Sequence, residues 1–163
     1  MQASLEQFLE QVARRGSWVG GGSVSALSAA LAAALLEKLI PSVPQARRLR
    51  RIRRECVRLI DADAGTFARV IRAIREDDQP SFRRSLKAAT EIPCRVVEHA
   101  RMIQAACRQA KRALKPRFRS DLLCAMATAR GAEESAQALI RTNLAWLHDP
   151  AYARQIRRRL QSR

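Results

Sequence analysis

Residues 24–36, Val-Ser-Ala-Leu-Ser-Ala-Ala-Leu-Ala-Ala-Ala-Leu-Leu, constrain the fold more than any other stretch of the chain. On a helix they set Val24, Leu27, Leu31 and Leu35 along one face and Ala26, Ser28, Ala30 and Ala33 elsewhere, so apolar or small side chains run all round the axis. Such a helix has no polar side to offer water, and its small residues let neighbouring backbones come close. Its expected place is the centre of a helical bundle. Gly20-Gly21-Gly22-Ser23 leads into it. The glycines admit a close approach, Ser23 reads as the N-cap, and the N–H groups of the helix start favour an anion by about 0.3–1 kcal/mol per charge.

The remaining periodicity is helical throughout. Ser4 reads as the cap of a first helix bearing Leu5, Phe8, Leu9 and Val12 and ending near Gly16, with Trp18 in the loop that follows. The second helix runs over 23–40 and is stopped by Pro41 and Pro44. A third spans about 45–77, its stripe running through Leu49, Ile52, Cys56, Leu59, Phe67, Val70 and Ile74. A fourth, capped by Ser81, spans 82–114 with Pro93 inside it, and Ser120-Asp121 caps a fifth over 121–147. A short basic helix follows His148-Asp149-Pro150. The expectation is an all-α bundle of about five long helices plus a short C-terminal one, in one domain over 1–163. An aromatic content of only 4% suits the close contacts of such a bundle.

Two polar residues interrupt the apolar stripes. Asp63 falls on the buried face of the third helix, where a carboxylate is costly unless paired or hydrogen-bonded; it is a member of a structural ion pair or part of a site. Gly65 beside it weakens the helix and suits a place of close approach. Asn143 falls on the inward face of the fifth helix. His99 flanks a stripe as a surface or hydrogen-bonded imidazole, and His148 sits at a helix end.

The formal charge of +16 rests almost entirely on arginine, clustered at 47–58, at 117 and 119, and at 154–163. This points to an anionic partner, a polyanionic small ligand or nucleic acid, or to a solvated helix face. Nucleic acid is the less favoured partner, because aromatic residues for stacking are few and no recognition motif is present. Cys56, Cys94, Cys107 and Cys124 are scattered without a C-x-x-C pair, so free thiols and no metal are expected. No run of 18 uninterrupted apolar residues spans a membrane, and residues 1–15 lack the pattern of a signal peptide. The expected location is cytoplasmic.

Taken in order, Gly20-Gly21-Gly22-Ser23, then Asp61-Ala62-Asp63-Ala64-Gly65-Thr66-Phe67, Ile92-Pro93, Ser120-Asp121 and Asn143-Leu144 form a pattern that covers nearly the whole chain. It resembles the cyclodeaminase/cyclohydrolase family, the helical folate-acting domain of formiminotransferase-cyclodeaminase and of free-standing methenyltetrahydrofolate cyclohydrolases. The resemblance implies a homodimer that binds a tetrahydrofolate derivative, polyglutamylated or not, beside the glycine loop. It implies hydrolysis of methenyl- to formyltetrahydrofolate as the leading activity, with deamination of formiminotetrahydrofolate second. Behind these stand a folate-binding scaffold of weakened activity and a basic nucleic-acid-binding helical protein.

By position, Gly20, Gly21, Gly22 and Ser23 match the family's glycine loop, Asp61, Asp63 and Phe67 its D-x-D-A-x-x-F segment, and Ser120 and Asp121 its S-D segment. Asn143 matches the late asparagine motif in part, since Leu139 stands where the first asparagine is usual. The implied catalytic carboxylates are Asp63, supported by Asp61 and Asp121; the implied ligand-binding residues are the glycine loop, Ser23, Phe67, Ser120 and Asn143. Three stretches depart from the pattern: Ser17-Trp18-Val19 replaces prolines, 41–54 contains no lysine, and Leu122-Leu123 follows Asp121 where small residues are usual.

Overall fold

The chain is described by a computed structural model over residues 5–112 and 114–161; Ser4, read as a helix cap, and Arg163, at the end of the basic C-terminal segment, lie outside the described residues. Six α-helices follow one another: α1 (Leu5–Ala13), α2 (Gly21–Leu39), α3 (Val43–Arg75), α4 (Gln79–Ala110), α5 (Arg119–Leu147) and α6 (Pro150–Gln161), with a 3-10 turn at Pro116–Phe118. No strand forms among the described residues. The expected all-α architecture is the one observed.

α2 is central, in contact with α3, α4 and α5, while α4 packs on both α3 and α5 and carries α6. The side that α2 buries is its alanine side: Ala26, Ala29, Ala33 and Leu36 are fully enclosed. The leucine face points the other way, and Val24 and Leu31 are exposed, against the expectation from the sequence. The reason is spacing: methyl-sized groups let three helix axes crowd one helix, so Val24 and Leu31 take the side that α3, α4 and α5 leave open. By length and mean hydropathy (1.3) α2 is apolar enough to cross a membrane, although charge follows residues 24–36 closely; in this fold it lies inside the bundle.

Several boundaries differ from expectation for local reasons. Pro44 opens α3 rather than closing α2, because its missing N–H is one that a first turn leaves unbonded anyway. Asp78, not Ser81, caps α4, accepting the Ser81 N–H at 2.9 Å. α5 begins after Phe118, so Ser120 and Asp121 lie in its first turn instead of capping it. Its last turn ends at His148, in left-handed backbone with φ 48°. Phe67 and Ile74, read as inward, are partly exposed at the edge of α3. Beside them Val70, Leu86, Ala89 and Leu147 form a small second core.

The arginine-rich start of α3 is partly a fastener. Glu37, on the last turns of α2, takes Arg50 Nε at 2.7 Å and Arg53 Nε at 3.1 Å. Burial works to raise its carboxyl, but the hydrogen bonds and charges of the two arginines hold it below the ordinary value. Glu55 similarly takes Arg95 at 2.9 Å and Arg58 at 3.7 Å.

Candidate functional site

α3 carries Asp63 beneath the start of α2. Its Oδ2 accepts the Ser23 backbone N–H at 2.8 Å and lies 3.1 Å from Ser23 Oγ. That hydroxyl stands equally far from the Ile60 carbonyl, so its one proton serves one acceptor at a time. Ser23 is therefore not the N-cap. Gly20 holds that position and offers no side chain, and Ser23 is a fully buried residue of the first turn. A carboxylate from the neighbouring helix does the capping across space, helped by the positive end of the helix dipole.

Gly22 makes this approach possible: a Cβ there would stand 2.0 Å from Asp63 Oδ1. No such contact explains Gly65, whose nearest neighbour would be Arg69 Nη1 at 3.9 Å, so the expected close approach at that position is absent.

Among the described residues no arginine or lysine pairs with Asp63; Ser23 is its partner, and the ion-pair reading falls. Burial pushes the Asp63 carboxyl up from the usual carboxylate range, and the hydrogen bonds from Ser23 offset only part of that rise. Oδ2 is committed to α2. Oδ1 makes no hydrogen bond among the described residues, and Asp63 lines a cleft of about 200 Å³.

The backbone of Gly20, Gly21 and Gly22 forms one edge of this cleft, Pro93 of α4 and Leu139 of α5 stand in its wall, and Asn143 and Thr142 supply further polar groups. Its rim is aromatic. Trp18 meets Phe67 edge to face, with ring centroids 6.3 Å apart at 63°, and Trp146 lines the cleft as well.

The fold thus gathers Gly20, Gly21, Gly22, Asp63, Phe67 and Asn143 at one place, with Ser23 behind Asp63. It does not gather the other two carboxylates there. Asp61 is two residues from Asp63, hence on another side of α3, exposed in the groove facing α1. Asp121 pairs with Lys38 at 3.1 Å at the far end of α2, roughly 22 Å along the axis from Ser23, and takes Ser120 with it. Within one chain Asp61 and Asp121 lie apart from Asp63. Two residues that the sequence places only in loop or helix, Trp18 and Trp146, belong to the cleft. The signal for them is positional: Trp18 stands two residues before the glycines and Trp146 one turn from Asn143. Among the described residues no three His, Cys, Asp or Glu side chains are grouped to hold a metal ion.

The family model described as formiminotransferase-cyclodeaminase matches residues 4–41 and 43–162. The chain belongs to that family. A crystal structure of formiminotetrahydrofolate cyclodeaminase from Thermotoga maritima is similar to it in fold, with a TM-score of 0.86 at 20% identity, covering 99% of this chain and 88% of the other. No curated protein matches the chain.

Proposed function

We propose that the chain is an enzyme of folate one-carbon chemistry, a formiminotetrahydrofolate cyclodeaminase, working in the cleft at Asp63. The observation that carries the reading is the carboxyl of Asp63, a residue lining a cleft with aromatic walls: one oxygen is held by Ser23, the other makes no hydrogen bond among the described residues, and the surroundings raise its proton affinity. Closing the one-carbon bridge breaks the bond to the departing ammonia while N10 bonds to the formimino carbon. From the protonated formimino group, one proton must leave N10 and one must reach the departing nitrogen, which leaves ammonia and the methenyl cation. A carboxyl whose proton affinity is raised towards the working range carries such a proton, a contribution of about 10²–10⁴ in rate.

A cleft of about 200 Å³ is smaller than the roughly 300–1,000 Å³ usual for a drug-sized ligand, so it suits the pterin ring and one-carbon bridge and leaves the glutamate tail outside. Trp18, Phe67 and Trp146 offer faces and edges to a planar ring. Hydrolysis of methenyltetrahydrofolate is the second reading: it needs a base for water at the same carbon, which ionised Asp63 provides. Homodimerisation, cytoplasmic location and the absence of a metal requirement go with the family resemblance in this proposal.

The two tryptophans of the chain both line the cleft, so intrinsic tryptophan fluorescence reports on it, and Trp146 separates it from the α1 groove that Trp18 also borders. Tetrahydrofolate should quench that fluorescence saturably, and formiminotetrahydrofolate should be converted to the methenyl form with release of ammonia. Conversion of methenyltetrahydrofolate without deamination would move the assignment to the hydrolase. Neither quenching nor turnover, with duplex DNA bound tightly in 0.2 M salt, would overturn the folate reading.

A further inference from the structure

On the outer groove between α3 and α4, five arginines surround two carboxylates. Arg48, Arg51 and Arg95 line a cavity of about 420 Å³ that has His99 in its wall and Ile52 and Met102 as its apolar part. The two carboxylates at its edge are already engaged, Glu55 by Arg95 and Arg58 and Glu98 by Arg159 at 2.8 Å. Arg51 has no acidic partner among the described residues, and Arg48 donates to Met102 Sδ at 3.3 Å rather than to a carboxylate. Three arginines and two glutamates line the cavity, and Arg48 and Arg51 are the positive charges there that no carboxylate pairs among the described residues. His99 adds an unfilled polar position: its Nδ1 is buried and has no hydrogen-bond partner among the described residues. Burial, assisted by Arg95 and Arg51, pushes this imidazole below its ordinary value against the pull of Glu55 and Glu98.

We propose that this cavity binds a small molecule through a phosphate or diphosphate group, held by the Arg48 and Arg51 guanidinium forks with His99 as a third polar contact and Ile52 and Met102 against its organic part. Like charges gathered in a concavity repel one another and raise the local concentration of anions, and the planar fork of arginine matches phosphate oxygens two at a time. A buried imidazole nitrogen without a partner gains one when an oxyanion enters beside it and the ring turns to meet it. The site is separate from the folate cleft. The two share no lining residue, and Arg51 and Asp63 are twelve residues apart on α3, roughly 18 Å along the helix. The inference therefore does not rest on the reading of the cleft.

The test is calorimetry with inorganic pyrophosphate on the full chain, against triglutamate at matched ionic strength, combined with NMR of the imidazoles. The chain has two histidines, His99 and His148, so the signals are few. Pyrophosphate should bind with a stoichiometry of one and shift the His99 resonances while leaving those of His148 in place. Triglutamate should bind at least tenfold more weakly. R48Q and R51Q, both exposed positions, should keep the wild-type melting curve and each weaken pyrophosphate about tenfold, the size one charge-assisted hydrogen bond supports. Equal affinities for pyrophosphate and triglutamate, affinity unchanged in R48Q and R51Q, or an unmoved His99 signal would each overturn the proposal.

Discussion

Replacing Asp63 by asparagine separates what its two oxygens do. The amide keeps one carbonyl oxygen, which can still accept the Ser23 N–H now held at 2.8 Å. What is lost is charge assistance, the difference between roughly 1.5–3 kcal/mol for a hydrogen bond to a charged group and about 0.5–1.5 for a neutral one. What is gained is relief from burying a charge, the effect that lifts this carboxyl above its usual range. These oppose each other, so D63N should lie within about 1 kcal/mol of wild type, or about 2–4 °C in Tm for a chain of this size. No buried arginine is left unpaired, and a loss of about 3–5 kcal/mol is not expected.

The pH dependence carries its own sign. A carboxyl that titrates higher in the folded than in the unfolded chain holds its proton longer when folded. Stability from this residue is therefore full below the ordinary Asp value, falls as pH rises towards the raised folded value, and is level above it. D63N has no such window, so the stability of wild type relative to D63N should decline across that range and then flatten. Urea melts at a series of pH values measure this, and single-turnover deamination measures the other oxygen, where a loss of about 10²–10⁴ is expected. A variant destabilised by about 3 kcal/mol or more with normal turnover per folded molecule would refute the division of labour assigned to Asp63.

Gly22→Ala should displace the carboxylate, because the new Cβ would stand 2.0 Å from Oδ1; a loss of about 1–3 kcal/mol in chemical denaturation and turnover as low as D63N are expected. Glu37→Gln should lower stability by about 1–2 kcal/mol in urea melts by releasing Arg50 and Arg53, whereas R47Q and R54Q, without carboxylate partners among the described residues, should leave it within about 0.5 kcal/mol. His148→Gly should raise stability by about 1 kcal/mol in the same measurement, since φ of 48° costs an L side chain and not glycine. A thiol reagent at pH 8 should modify Cys124 rapidly and the other three only on unfolding, because Cys56, Cys94 and Cys107 are buried and their thiols are pushed up to about 12, 12 and 11.

The helices are legible in the sequence because their periodicity is local, and the positions expected as core on α3, Leu49, Ile52, Cys56, Leu59 and Val70, are buried. The orientation of α2 is not. With apolar side chains on every side, hydropathy carries no phase, and the choice between its alanine and leucine sides is made by how near α3, α4 and α5 can come. Asp63 is legible as an anomaly, a carboxylate on a buried stripe, but its partner is not: the sequence offers 31 basic residues, and the fold supplies a backbone N–H forty positions away. Asp61 and Asp121 share motif segments with the site residues and not their location, since helical angle removes the one and the length of α2 the other.

The cap and the cleft are consequences of one another. A helix start built of three glycines has no side chain of its own to satisfy its first N–H groups, so a carboxylate must come from elsewhere, and only the missing Cβ of Gly22 lets it come. The same absence of side chains leaves open space on the other side of that carboxylate, which Trp18, Phe67 and Trp146 border without filling. A serine or aspartate at position 20 would cap α2 locally and release Asp63 from Ser23. It would also put atoms into the cleft. The helix start can be satisfied from within or from across the bundle, and the glycine triplet with Asp63 opposite it takes the second way, which keeps side-chain atoms of position 20 out of the cleft.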